Sequence, residues 1–139
     1  MRTDLNADVG EGLDEVDEAL LPLLTSVNVA CCRHAGDEAT MARVVGLAVR
    51  PDVAIGAHPG YPDRNGFGRR RVDLNPDELR ATIVEQLERL EVTSRNAGVV
   101  LRHVKPHGAL RFTWIDMAAA RARWSVQQAE IRAASAALS

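Results

Sequence analysis

No run of apolar residues in this chain approaches the ~20 that a bilayer-spanning helix requires, so no membrane segment is expected. Positive charge is not in excess either. Seventeen Lys and Arg stand against 19 Asp and Glu, a formal net charge of −2, which leaves no basic footprint for nucleic acid. The opening MRTDLNADVG lacks the apolar stretch of a secretory signal, and the expected compartment is the cytoplasm. Cysteine is scarce: Cys31 and Cys32 are the only two, and they are adjacent. Neighbouring cysteines are poorly placed to bridge each other, and this pair lacks further ligands at metal-binding spacing. They read as two small apolar thiols near a strand end. The Walker-type phosphate loop, the dinucleotide glycine fingerprint, the nucleophile elbow and the paired-histidine zinc helix motif are all absent.

What is present is the composition of a globular domain, 46% hydrophobic and 26% charged in 139 residues, enough for one domain at most. Residues 2–8 read as a first strand, broken by Gly10 and Gly12. A helix is expected from about Asp14, with Val16, Leu20, Leu23 and Leu24 on one side and Pro22 disturbing its last turn. SVNVACC (26–32) is a second strand. Asp37 sits at a helix N-cap, and Met41, Val44, Val45 and Ala48 follow at helical spacing. VAIGAH (53–58) has the uniform apolar character of a buried parallel strand. After a long loop (59–74), Asn75-Pro76-Asp77-Glu78 is a capping-box helix start, with Leu79, Ile83, Leu87 and Leu90 as its buried stripe. VVLRHV (99–104) is a fourth strand. Alternating strands and helices predict an α/β fold with a parallel sheet. Four strands fall short of a full eight-stranded barrel of ~250 residues. From Arg111 the character changes: residues 111–139 have no Gly or Pro, and Met117, Trp124, Ile131 and Leu138 recur at seven-residue intervals. A domain at 1–110 and a helical tail at 111–139 are therefore expected.

Ionisable residues collect where strands end. Three of the four histidines, His34, His58 and His107, lie in glycine- or proline-bracketed turns. In parallel α/β folds the strand C-termini are where ligands bind. Asp4, Asn6, Asp8 and Glu11 lie in or just after the first strand; carboxylates there can hold Mg²⁺, orient a substrate amine or act as base. His34 can serve as base, metal ligand or anion contact. His58 precedes a loop carrying Asp63, Arg64, Arg69, Arg70 and Arg71, and arginine forks bind phosphate or carboxylate. Gly66 and Gly68 suggest that this loop approaches a ligand closely or moves over it. Lys105 can pair with phosphate, His107 can move a proton at neutral pH, and His103 alternates to the same side as Lys105 as a packed supporting residue.

Together, DLNADVGEG (4–12), NVACCRHAGD (28–37), AIGAHPGYPDRNGFGRR (54–70) and RHVKPHGAL (102–110) resemble the LamB/YcsF family, in the same order and with similar spacing. The resemblance implies a partial, TIM-like β/α barrel of the polysaccharide-deacetylase type. It also implies ATP-dependent opening of 5-oxoproline to L-glutamate with B and C subunits. ATP would enter with Mg²⁺, and another divalent metal is an option. Carried over residue by residue, it implicates Asp8, Glu11, His34, His58 and His107 in catalysis and Asn6, Asp63, Arg69, Lys105 and Gly108 in ligand binding. Lys105 and Arg69 would meet phosphate, Asp8 or His58 would be base or metal ligand, and His107 would carry a proton.

Two departures stand out. The family usually has Gly-Phe where this chain has Cys32-Arg33, so a strained turn and a displaced His34 are expected. The family also continues past KPHGAL with Tyr-Asn and further strand ends, and the change at Arg111 looks like a truncated or frame-shifted product. Exposed sheet edges would then favour self-association and poor activity alone. The alternatives are a metal-dependent amide or acetyl hydrolase of the deacetylase type and a non-catalytic fragment.

Overall fold

The computed structural model describes residues 3–50 and 53–116. Its elements alternate: β1 (Asn6–Val9), α1 (Asp14–Leu20) with a short 3-10 turn (Leu21–Leu23), β2 (Ser26–Ala30), α2 (Glu38–Ala48), β3 (Ala54–His58), α3 (Pro76–Asn96), β4 (His103–Val104) and α4 (Leu110–Asp116). The strands form one parallel sheet in the order β1-β2-β3-β4, so each strand lies beside its sequence neighbour. This is the parallel β/α architecture expected from the sequence, open at β1 and β4 among the described residues. The heptad residues Met117 to Leu138 lie outside those residues.

Strand alternation gives the sheet two unlike faces. Val9, Val27, Val29, Ile55 and Ala57 are fully or almost fully buried in the core. Met41, Val44, Val45 and Ala48 of α2 and Leu79, Ile83, Leu87 and Leu90 of α3 complete it, as the helical spacing predicted. Both helices start as expected. The Asp37 carboxylate accepts from the Thr40 amide at 2.7 Å, and Asn75 and Glu78 form a full capping box. The opposite sheet face carries polar side chains. Register aligns Asp8 with Asn28, Asn28 with Gly56, and Gly56 with His103.

Two elements differ from the sequence reading. The fourth strand shrinks to His103–Val104. More telling is α1, whose expected apolar side faces outward: Val16 is 48% and Leu23 65% exposed, and Leu20 is exposed as well. The residue α1 buries is Asp17, whose Oδ2 accepts from the Gly10 amide at 2.8 Å. A hydrogen-bonded carboxylate therefore decides the orientation of α1, and of the four expected apolar residues only Leu24 is buried.

Candidate active site

The turns after the strands bring four side chains together. Glu11 comes from the turn after β1, His34 from the loop after β2, His58 from the last position of β3 and His107 from the turn after β4. Glu11 Oε1 lies 3.0 Å from His34 Nε2, 3.3 Å from His107 Nδ1 and 3.7 Å from His58 Nε2. The His34 and His107 rings stack at 3.9 Å, and His58 meets both edge-on. All three histidines are buried.

Hydrogen bonds fix the protons on two of these rings. His58 Nδ1 is 2.5 Å from the Lys105 carbonyl, and His107 Nε2 is 2.8 Å from the Phe67 carbonyl. A carbonyl only accepts, so both nitrogens donate. The remaining nitrogens, His58 Nε2 and His107 Nδ1, face each other at 2.9 Å. His34 differs: its Nδ1 is buried and has no hydrogen-bond partner among the described residues. Burial, with the neighbouring histidines, pushes the His107 pKa down, favouring the neutral ring. Burial pulls the Glu11 carboxyl upward, but its contacts with His34, His107 and His58 outweigh this and hold it below its ordinary value.

Beside this cluster runs a polar network on the sheet face. Lys105 Nζ donates to Asp8 Oδ1 at 2.5 Å, and Asn28 Nδ2 donates to the same oxygen at 2.7 Å. Asn28 Nδ2 also reaches Asn6 Oδ1 at 2.6 Å, while Asn28 Oδ1 lies 2.7 Å from His103 Nε2. Asp8 Oδ2 stands 3.4 Å from His58 Nε2 and links network to cluster. Partial burial pulls the Asp8 carboxyl up, but contacts with His58, Lys105 and Asn28 win and hold it well below the carboxylate range. His103 can lie across the sheet only because Gly56 has no side chain; a Cβ there would fall on the imidazole ring.

The remaining expected site residues fall around this centre. Asp63 Oδ1 accepts from the Gly66 amide at 3.0 Å, and its carboxylate pairs with Arg70, so it organises its own loop. Arg69 is exposed, with its guanidinium 5.2 Å from the centre of the Phe67 ring, which in turn packs edge-on against His34 and His107. Gly108 lets the chain pass Gly68 closely: a Cβ on Gly108 would lie 2.5 Å from the Gly68 carbonyl. Gly68 is itself packed on His34 and His107, so the loop approaches the histidines. Cys32 adopts φ 66°, the left-handed region where the family's glycine is at ease, so the expected strain in that turn is present. The displacement of His34 is not: it still reaches Glu11.

Two contributors, Asn28 and Gln86, were missed from sequence, and a third, Arg64, expected with the loop arginines to meet an anion, donates to backbone carbonyls instead. Asn28 joins the network from the middle of an apolar strand. Gln86, buried on α3, accepts from the Gly60 amide and donates to the Gly60 carbonyl, both at 3.0 Å, pinning the loop after His58. Arg64 donates to the Cys32 and Gly36 carbonyls and braces the His34 loop. For Asn28 and Gln86 the available signal was a polar residue interrupting an apolar pattern.

Comparison with known proteins agrees with this geometry. The chain is 51% identical over 114 residues to the 5-oxoprolinase A subunit of Syntrophobacter fumaroxidans, covering 79% of this chain and 45% of that protein. It is 54% identical over 111 residues to the protein of the same name from Methylococcus capsulatus, covering 77% and 43%. The chain thus spans a little under half the length of these curated relatives. A crystal structure described as a lactam utilization protein from Thermus thermophilus superposes with a TM-score of 0.73 at 44% identity, covering 79% of this chain and 46% of that one. The family model for LamB/YcsF matches residues 3–136, running past Arg111, and the chain belongs to the LamB/YcsF family.

Proposed function

We propose that this chain carries the A-subunit site of an ATP-dependent 5-oxoprolinase, which opens 5-oxoproline to L-glutamate together with B and C subunits. The observation that carries the reading is the convergence of all four motif turns on one centre, in a chain about half identical to proteins named as the A subunit of 5-oxoprolinase. A lactam carbonyl is a poor electrophile. In the proposed reaction the lactam oxygen takes the γ-phosphoryl group of ATP, and the phosphorus–oxygen bond to ADP breaks as the new one forms. Water then adds to the activated carbon and gives up a proton. The ring carbon–nitrogen bond breaks with a proton taken up by nitrogen, and a second water releases phosphate from the resulting acyl phosphate. Such chemistry depends on positioning and on charge stabilisation.

The Asp8–Lys105 pair suits this substrate class. A lactam is a cis amide that presents an N–H donor and a carbonyl acceptor on one edge. Asp8 offers an ionised acceptor and Lys105 a charged donor side by side. Asp8 would orient the ring N–H and receive protons; Lys105 would face the carbonyl oxygen and the incoming phosphoryl group. Arg69, anchored on Phe67, is the second phosphate contact, and Mg²⁺ accompanies the phosphates of ATP.

The test is glutamate release from 5-oxoproline by the chain combined with B and C subunits. Asp8→Asn and Lys105→Ala are each expected to lower kcat by about 10²–10³-fold, the range for losing one charge-stabilising group. Undiminished turnover in both variants would overturn the assignment. The 139-residue chain without partners is expected to be a poor catalyst, and ATP-dependent turnover by it alone would refute that. The clustering of Glu11 with three histidines favours a second reading, metal-dependent amide or acetyl hydrolysis, which would proceed without ATP.

A further inference from the structure

We infer that Glu11, His58 and His107 form a binding centre for a borderline first-row dication of the Zn²⁺ type, with His34 in a weaker fourth position. The donor atoms of these four residues all lie within 4.8 Å of one another. Donors at ~2.0–2.1 Å around a tetrahedral ion stand about 3.3 Å apart. Four separations in the cluster, 2.9, 3.0, 3.3 and 3.7 Å, bracket that value. The decisive feature is the facing pair of ring nitrogens. With His58 Nδ1 and His107 Nε2 committed as donors to backbone carbonyls, two lone pairs point at each other whenever both rings are neutral. A shared proton or a cation must lie between them, and Glu11 adds a negative charge on the same spot.

The surroundings rank the ligands. Metal-binding histidines almost always donate their other N–H to an acceptor, which fixes the ring and raises its basicity. His58 and His107 already do so. His34 does not, since its Nδ1 is buried without a partner among the described residues; ligation through Nε2 would leave that N–H without an acceptor there. His34 is therefore the fourth, dispensable ligand. Imidazole-rich sets suit Zn²⁺ and its transition-metal neighbours, whereas Mg²⁺ takes oxygen ligands, so this centre is distinct from the Mg²⁺ that travels with ATP. Asp8, offered with His58 as a metal ligand by the resemblance, stands at the rim: Oδ1 is held by Lys105 and Asn28, and Oδ2 meets His58 at 3.4 Å but lies outside the set of four converging donors. Bound metal would occupy the His107 nitrogen that the family resemblance cast as a proton carrier.

The experiment is cobalt titration of the tag-free, chelator-stripped chain at pH 7, read by visible absorption and by metal content. One Co²⁺ per chain, with ligand-field bands displaced by Zn²⁺, is expected. His58→Gln and His107→Gln should each weaken binding about 100-fold or more, Glu11→Gln should do likewise, and His34→Gln no more than about 10-fold, because the His34 ring lacks the outer-shell acceptor whose loss at a metal site costs about 10–100-fold. Cys32→Ser should leave the spectrum unchanged. Circular dichroism identifies variants that fail to fold; if the histidine variants do, Glu11→Gln and Zn²⁺-induced thermal stabilisation of the wild type decide. Absence of binding below millimolar Co²⁺, binding indifferent to these substitutions, or a spectrum lost with Cys32→Ser would overturn the inference. The centre does not depend on the substrate: cobalt can bind where glutamate release fails, and the reverse.

Discussion

Asp17 offers a sharp test of how the turn presenting Glu11 is held. It is 4% exposed, and its Oδ2 accepts from the buried Gly10 amide at 2.8 Å. Asp17→Ala removes a charge-assisted hydrogen bond and leaves that amide unpaired, which costs about 1.5–3 kcal/mol. Asp17→Asn keeps an acceptor oxygen and removes the charge. Burial raises the Asp17 pKa in the fold despite the Gly10 hydrogen bond and the nearby Arg43. Between the unfolded value of 3.8 and the raised folded value, the native state binds more protons than the unfolded one. The Asp17 contribution to stability therefore falls as pH rises through that window and stays low above it. Urea unfolding from about pH 3.5 to 7 should show Asp17→Asn gaining on the wild type across the window and then running parallel, with Asp17→Ala below both at neutral pH. A fall of Asp17→Asn to the level of Asp17→Ala, or an Asp17→Ala protein as stable as wild type, would refute the account.

Further outcomes follow from single contacts. Gly56→Ala must expel the His103 ring and break its contact with Asn28, and is expected to cost about 1–3 kcal/mol by chemical denaturation; a neutral effect would mean that His103 is not held there. Cys32→Gly should exceed Cys32→Ala in stability by about 0.5–1 kcal/mol, the left-handed strain relieved less the entropy of the added glycine. Equal stabilities would show that the turn is not strained. Burial pushes the Cys31 thiol up to about 12, so a thiol reagent at about pH 8 should modify Cys32 first and reach Cys31 only on unfolding. Equal rates for the two cysteines in the folded chain would contradict that burial.

The sequence by itself determined the alternation of strands and helices, the caps of α2 and α3, the buried stripes of both helices and the turns that hold the chemistry. These are local properties: side-chain periodicity and capping residues act within one or two turns of chain. It also placed Asp8, Glu11, His34, His58, Lys105 and His107 at strand ends. What it could not give was distance between strands. Which carboxylate reaches all three histidines, Glu11 rather than Asp8, depends on the path of the turn after β1, which Asp17 holds by reaching back to Gly10. The same contact turned α1 so that Val16 and Leu20 face outward, against their helical spacing, and Leu23 in the 3-10 turn after it is exposed as well. His103 crossing Gly56, Gln86 clamping Gly60, and Asp63 turning to Arg70 are contacts between residues apart in sequence or on a loop without periodicity. Parallel register and loop packing decided them, because a one-dimensional pattern fixes which face a residue takes but not which residue it meets there.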